Sequence, residues 1–291
     1  MSEWVIGIIG GSGLYAIDAL EEPQWLAVDT PWGAPSDDLL IGRIAGVRFV
    51  FLPRHGRGHP LPPTSVNARA NVDALKRAGC TDILAISAIG SLREELEPGR
   101  FVAVDQFIDR TVGRPSSFFG PGFAAHVPMA DPICPRLAAL AADAAEAAGA
   151  PVARGGTYVA MEGPQFSTRA ESRMYRAWGG DVIGMTAMPE AKLAREAELP
   201  YALIGMVTDY DCWKEGDDVD VAEIIAGLHA NVGKARRLIV ELARRLPRER
   251  APSPIDTSLD HAVITAPEAR DPAMIAKLDA VCRRFLRTFA R

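Results

Sequence analysis

Short apolar runs, each closed by glycine, proline or a small polar residue, recur along this chain and alternate with stretches of helical spacing. Residues 4–9 form the first run and lead directly into Gly10-Gly11-Ser12-Gly13. Residues 201–207 form the last, which follows Pro200 and is too short for an ordinary helix, so it reads as a buried strand. Between them, 39–43 and 47–52 predict a hairpin turning at Ala45-Gly46, and 82–87, 101–107, 158–161 and 181–185 predict further strands. Helices are predicted over 67–78, stopped by Gly79, over 136–148, ended by Gly149, and over 168–178. Another opens on Pro189 and runs to 198, and the longest spans 221–246. Strands alternating with helices predict an α/β fold. Beyond Pro247 a polar, proline-containing linker leads to a final helix over 272–289.

Composition narrows the class. A chain of 291 residues with 48% hydrophobic positions can bury one large α/β core or two small ones. Lysine and arginine total 32 against 37 acids, a net charge of -5, which argues against a nucleic-acid partner. The basic residues of 234–250 alternate with apolar ones at helical spacing, as on a solvated helix face. Four scattered cysteines without a CxxC pair suggest reduced thiols and argue against zinc. His55 and His126 have no partner at metal-ligand spacing, so no metal site is expected. The start lacks a basic n-region, and no apolar run approaches the ~18 residues of a membrane span. A cytoplasmic protein with no membrane partner is expected.

Three predicted strand ends carry anion-binding chemistry. The first is the glycine turn with Ser12, where backbone N–H groups can approach a phosphate closely. The same letters satisfy a dinucleotide GxGxxG/A pattern, but the stretch after Ala16 is interrupted too soon for the required helix. The second is Pro53-Arg54-His55-Gly56-Arg57-Gly58-His59; a solvated basic loop is the alternative there. The third carries Ser87 and Ala88. Open α/β sheets bind ligands beyond the carboxyl ends of their strands, so the three could surround one phosphate. A long Gly/Pro/Phe-rich loop, 114–128, contains His126.

The run 201–207 delivers Asp209 and Asp211. If extended geometry continues past Thr208, both acids point to one side and Cys212 to the other. Carboxylates this close resist joint ionisation, so one should hold a proton near neutral pH and donate it to a leaving group. Taken alone, an Asp-Xaa-Asp more often caps a helix or faces water.

These residues lie in strings that occur in family order: GIIGGSGLY, PRHGRGH with PPTSVNARAN, SAIGSLRE, DQFIDRT, MEGPQFSTRAES, GMTAMPEAKLAREA and VTDYDCWKE. In them, over roughly residues 5–246, the chain resembles the 5'-methylthioadenosine phosphorylases of the trimeric purine nucleoside phosphorylase family. The resemblance implies a single domain over 1–250 built on a central mixed twisted β-sheet flanked by helices, with 251–291 as a linker and C-terminal helix packed on it. It implies that Ser12, Arg54, His55, Ser87, the Ala88 backbone and Thr186 hold phosphate. Met185 would contact the ribose, Phe166 and Ser167 would lie beside base and sugar, and Asp209 and Asp211 would read the purine. His126 of a neighbouring subunit, in a homotrimer, would close the 5'-alkylthio pocket with Val221 and Ile224. The implied reaction converts methylthioadenosine and phosphate to adenine and 5-methylthioribose 1-phosphate, in purine and methionine salvage. Phosphate is then a co-substrate and no cofactor is needed.

Residue chemistry fits that reaction. Adenine presents an acceptor at N7 and a donor at N6, which one protonated and one ionised acid complement. Asp209 is assigned to N7 and Asp211 to N6. A 6-oxopurine offers acceptors at both positions, so a 6-oxopurine nucleoside phosphorylase is the nearest alternative and Asp211 argues against it. A nucleosidase would not require separated anion donors, and a nucleoside-binding protein would not require the acid pair.

Overall fold

The computed structural model describes residues 3–11, 13–214 and 221–289. Among the described residues eleven strands run in chain order: β1 Val5–Gly10, β2 Glu21–Leu26, β3 Leu39–Ile44, β4 Val47–Pro53, β5 Asp82–Ser91 and β6 Phe101–Ala103. These are followed by β7 Gln106–Arg110, β8 Val152–Arg154, β9 Thr157–Met161, β10 Val182–Gly184 and β11 Tyr201–Asp209. The helices are α1 Ala68–Arg77, α2 Pro135–Ala147, α3 Arg169–Ala177, α4 Ala187–Glu196, α5 Val221–Arg245, α6 Pro272–Lys277 and α7 Arg283–Phe289.

All the strands belong to one mixed sheet, ordered β2-β3-β4-β1-β5-β10-β9-β7, with a branch from β5 through β11 and β6 to β8. The expected α/β architecture is therefore what forms. The central strands are apolar at consecutive positions because both faces are covered. Ile9, Val50, Leu52, Ile83 and Leu203 face one layer, with α1, α4 and the C-terminal segment. Ile8, Phe49, Phe51, Leu84 and Ile204 face the other, with α2 and α5. Local signals set the helix starts: Asn67 accepts from the Ala70 N–H, and Thr168 with Glu171 forms a reciprocal capping box.

Three expectations are corrected. The predicted strand 101–107 is two strands: β6 pairs with β11 and β8, whereas β7 pairs with β9 at the far edge. β2 escaped notice because EEPQWL is an exposed edge with a proline, tolerated where the register with β3 shifts. The predicted helix 272–289 breaks between α6 and α7. Leu278, Ala280, Val281 and Cys282 are all buried, which the single face of a continuous helix could not achieve.

The segment after α5 is tied to the sheet by charge and by backbone. Asp82, fully buried, accepts from both Arg136 and Arg250, and Arg284 reaches Glu198 from Nε at 2.8 Å. An isolated bridge joins Ala125 to Val263, and the His126 N–H donates to the Ala262 carbonyl at 2.9 Å.

Candidate active site

Strand register gathers the carboxyl ends of β1, β4, β5 and β11. Gly10 stands opposite both Pro53 and Ile86, and Asp209 stands opposite Gly90. β10 runs antiparallel to the end of β5, pairing Ile183 with Gly90, and continuing that count brings Thr186 opposite Ser87. Their hydroxyl oxygens are 3.0 Å apart. Ser87 Oγ also lies 3.0 Å from the Ala88 carbonyl, and the Thr186 N–H points to the Tyr158 hydroxyl at 3.4 Å. Ser87, Ala88, Thr186 and Met185 are thus brought together; Ser12 lies outside the described residues.

Arg54 is buried, and all but one of its N–H donors are directed inward. Nε and Nη2 donate to the Glu190 carboxylate at 2.6 and 3.2 Å, Nη1 to the Ile86 carbonyl and Nη2 to the Ile9 carbonyl. Burial opposes its charge, but Glu190 outweighs burial and holds the guanidinium firmly protonated. Glu190, whose carboxylate also accepts from the Tyr201 hydroxyl, was missed in the sequence. Its signal was an acid inside a helix buried on nearly every position, which demands a cation.

His55 donates from Nδ1 to the Leu61 carbonyl at 2.8 Å and stacks on His59 with ring centroids 4.2 Å apart. Burial, and then the Arg54 charge, push its pKa down to about 4. The imidazole is therefore neutral at pH 7, and Nε2 is an acceptor.

The acid pair departs from the extended geometry expected of it. A bulge at Thr208 breaks the β5–β11 register, β11 ends at Asp209, and Asp211 adopts a left-handed φ of 52°. What couples the acids is a direct link: Asp209 Oδ1 accepts the Asp211 N–H at 2.8 Å, while Oδ2 accepts from the Thr208 hydroxyl at 2.7 Å. Cys212 does not point away. Its thiol donates to the Ser167 carbonyl at 3.2 Å and so joins the acid loop to the Phe166-Ser167 segment. Gly90 is required beneath the pair, because a Cβ there would sit 2.9 Å from Asp209 Oδ1.

Burial raises the pKa of both acids. Thr208 and the Asp211 N–H counteract it at Asp209. At Asp211 burial, aided by the Asp209 charge and opposed by Ser172, pushes the carboxyl up to about 6. Asp211 Oδ2 and Ser172 Oγ are both buried without a hydrogen-bond partner among the described residues. The Ser172 hydroxyl is close enough to lower the Asp211 carboxyl, so it is the nearest protein donor to that oxygen.

The remaining predicted residues lie at the rim or beyond it. Phe166 is exposed, and Ser167 Oγ lies 3.6 Å from Met161 Sδ. His126 is exposed on the loop pinned by residues 262–265. The side chains of Val221 and Ile224 lie outside the described residues. Among the described residues no group of three His, Cys, Asp or Glu side chains is placed to hold a metal ion, and no helix is long and apolar enough to cross a membrane.

Hydroxyls and a guanidinium at one set of strand ends thus lie beside two acids of raised pKa at the next. The chain belongs to the Phosphorylase superfamily, whose sequence model matches residues 5–244. It is 58% identical to the S-methyl-5'-thioadenosine phosphorylase of Cereibacter sphaeroides, over 97% of this chain and 99% of that protein. It is 53% identical to the protein of the same name from Geobacter sulfurreducens, over 96% and 98%. Among solved structures, a methylthioadenosine phosphorylase from an antarctic soil metagenomic library superimposes with a TM-score of 0.91 at 44% identity, covering 97% of this chain and 99% of that one. The Schistosoma mansoni methylthioadenosine phosphorylase in complex with adenine gives 0.78 at 42%, covering 82% and 91%.

Proposed function

We propose that this chain is a pentosyltransferase that cleaves S-methyl-5'-thioadenosine with inorganic phosphate, releasing adenine and 5-methylthioribose 1-phosphate. The observation that supports the reading is the buried acid pair, in which Asp211 Oδ2 has no hydrogen-bond partner among the described residues while Asp209 accepts from Thr208 and the Asp211 N–H. An amino group at purine C6 supplies the missing donor. Once N6–H bonds that oxygen, Asp211 is favoured as the anion and the pair's proton is left to Asp209, which gives it to N7 as the glycosidic bond breaks. Adenine then leaves neutral rather than as an anion, and the sugar develops oxocarbenium character.

Phosphate is the nucleophile. Ser87 and Thr186 exchange their mutual hydrogen bond for bonds to its oxygens, with Ser12 and the Ala88 backbone beside them. Arg54 contributes its remaining N–H and a charge that Glu190 fixes in place. Neutral His55 accepts at Nε2, which suits the hydroxyl of a monoprotonated phosphate. Met185 lies against the ribose, and Phe166 and Ser167 lie against base and sugar. His126 from a neighbouring subunit of a homotrimer closes the 5' group with Val221 and Ile224. No metal or organic cofactor enters, because phosphate brings the nucleophile and the protein brings position and charge. Residues 1–250 form the catalytic unit, and the enzyme works in the cytoplasm, where its unpaired thiols stay reduced.

The test is release of free base from methylthioadenosine and from inosine, each with and without phosphate, with bases and sugars resolved chromatographically. Adenine with a sugar 1-phosphate, formed only when phosphate is present, is expected. Hypoxanthine from inosine as the main product would move the chain to the 6-oxopurine branch, and phosphate-independent release would make it a nucleosidase.

A further inference from the structure

Arg114 opens the long 114–128 loop and belongs to none of the groups placed around substrate. Its side chain is only 7% exposed, yet it does not serve the hydrophobic core. Nη1 donates to the Met185 carbonyl at 2.6 Å and to the Met188 carbonyl at 2.8 Å. Nη2 donates to the Glu162 carbonyl, and Nε faces Glu162 Oε1 at 3.3 Å. The other oxygen of that carboxylate accepts the Val112 N–H at 2.7 Å, so the clamp is itself held from behind.

The two segments it joins end on opposite sides of the reaction. Met185 and Met188 bracket Thr186, on the phosphate side, in a turn where Met188 has non-helical angles of φ -113° and ψ 134°. Glu162 precedes the stretch that carries Phe166 and Ser167, on the nucleoside side. The segments also touch directly: Gly163 has φ 69°, and a Cβ there would meet Met185 Sδ at 2.5 Å. A planar guanidinium can hold several carbonyls at fixed separation where an ammonium cannot.

We propose that Arg114 is a positioning residue that sets the spacing between the phosphate-side turn 185–188 and the nucleoside-side segment 162–167. This rests on the phosphorolysis reading above. A shift of about 1 Å between reactants can cost on the order of 100-fold in rate, which sets the expected size of the effect.

The experiment compares Arg114→Ala, Arg114→Lys and wild type in two measurements. In the first, amide hydrogen exchange followed by mass spectrometry should show exchange about 10-fold faster in both 162–167 and 185–188, with β1, β4 and β5 unchanged. In the second, kcat for phosphorolysis should fall on the order of 100-fold with smaller changes in either KM, and lysine should not rescue it. Sub-denaturing guanidinium ion should restore part of the activity of Arg114→Ala, while methylammonium should not. Unchanged exchange in either segment overturns the proposal whatever the activity, and so does a kcat within about threefold of wild type. Loss that guanidinium cannot relieve would make the residue merely structural. Should the alanine variant not fold, the lysine variant is read by the same exchange criterion. Wild-type inactivity with the exchange result intact would instead overturn the phosphorolysis reading and leave the clamp standing.

Discussion

Around the ends of β4 and β5 the polar groups are already engaged with one another, whereas beyond β11 one buried carboxylate oxygen has no hydrogen-bond partner among the described residues. On the first side Ser87 faces Thr186, and Glu190 and backbone carbonyls take all but one of the Arg54 donors. A ligand arriving there replaces bonds of similar strength, so this side fixes position at little cost to the free protein. On the other side a buried acceptor without a donor costs ~1–3 kcal/mol, and the left-handed Asp211 adds a cost of similar order. A ligand that brings a donor recovers that deficit. On the proposed reading, affinity for the anion and choice of the base are built by different means, and each can be disturbed without the other.

The sharpest separation is Asp209→Asn. The amide still accepts the Asp211 N–H through its carbonyl, so the loop keeps its form, but no proton can be given to N7. Turnover of methylthioadenosine should drop ~10²–10⁴-fold with little change in the KM for phosphate. Rapid-quench measurement of adenine release checks this, and near-normal turnover would remove Asp209 as the acid. Next in size is Asp211→Asn, which turns an acceptor into a donor. The ratio of kcat/KM for methylthioadenosine over inosine should fall by at least ~10²-fold; an unchanged ratio would mean that Oδ2 does not face the 6-position. From the opposite side, Ser87→Ala should raise the KM for phosphate ~10-fold or more, the worth of one charge-assisted hydrogen bond, without altering purine preference. A shift in preference there would show the two sides to be coupled.

Much of this contrast was legible in the chain, and the illegible part has a common cause. The central strands could be read because each is a short apolar run covered on both faces, and Ser87, Arg54 and the acids were picked out as candidates because they stand where such runs stop. Glu190 and Arg114 could not, since each acts on a group more than 70 residues away in sequence. A helix pattern hides an acid that answers a buried arginine on another strand. The bulge at Thr208 was invisible for a related reason: alternation predicts which face a side chain takes only while the ladder persists. Asp211 thus reached its neighbour through a backbone N–H, by a turn rather than by the pleat. The edge strand β2 lacked an apolar run because neither of its faces is covered.

The smallest effect concerns the free protein alone. Burial lifts Asp211 from the ordinary carboxylate value near 4 to about 6, so the folded state binds this proton more tightly than the unfolded chain does. The resulting stability is fully present below about pH 4 and is lost as pH rises through about 6, because the unfolded chain then ionises freely while the folded one resists. The shift corresponds to ~2–3 kcal/mol as an upper bound, and relaxation around the acid should leave ~1 kcal/mol visible. Asp209 and Glu196, the latter raised to about 7 by burial, slope the same way, so wild-type stability alone cannot isolate Asp211. The difference can: urea unfolding of wild type and Asp211→Asn at pH 4.5 and 7.5 should show the variant gaining on wild type at the higher pH. Parallel losses would mean that Asp211 is already ionised at little cost in the free enzyme. The donor deficit beyond β11 would then be too small to choose the base.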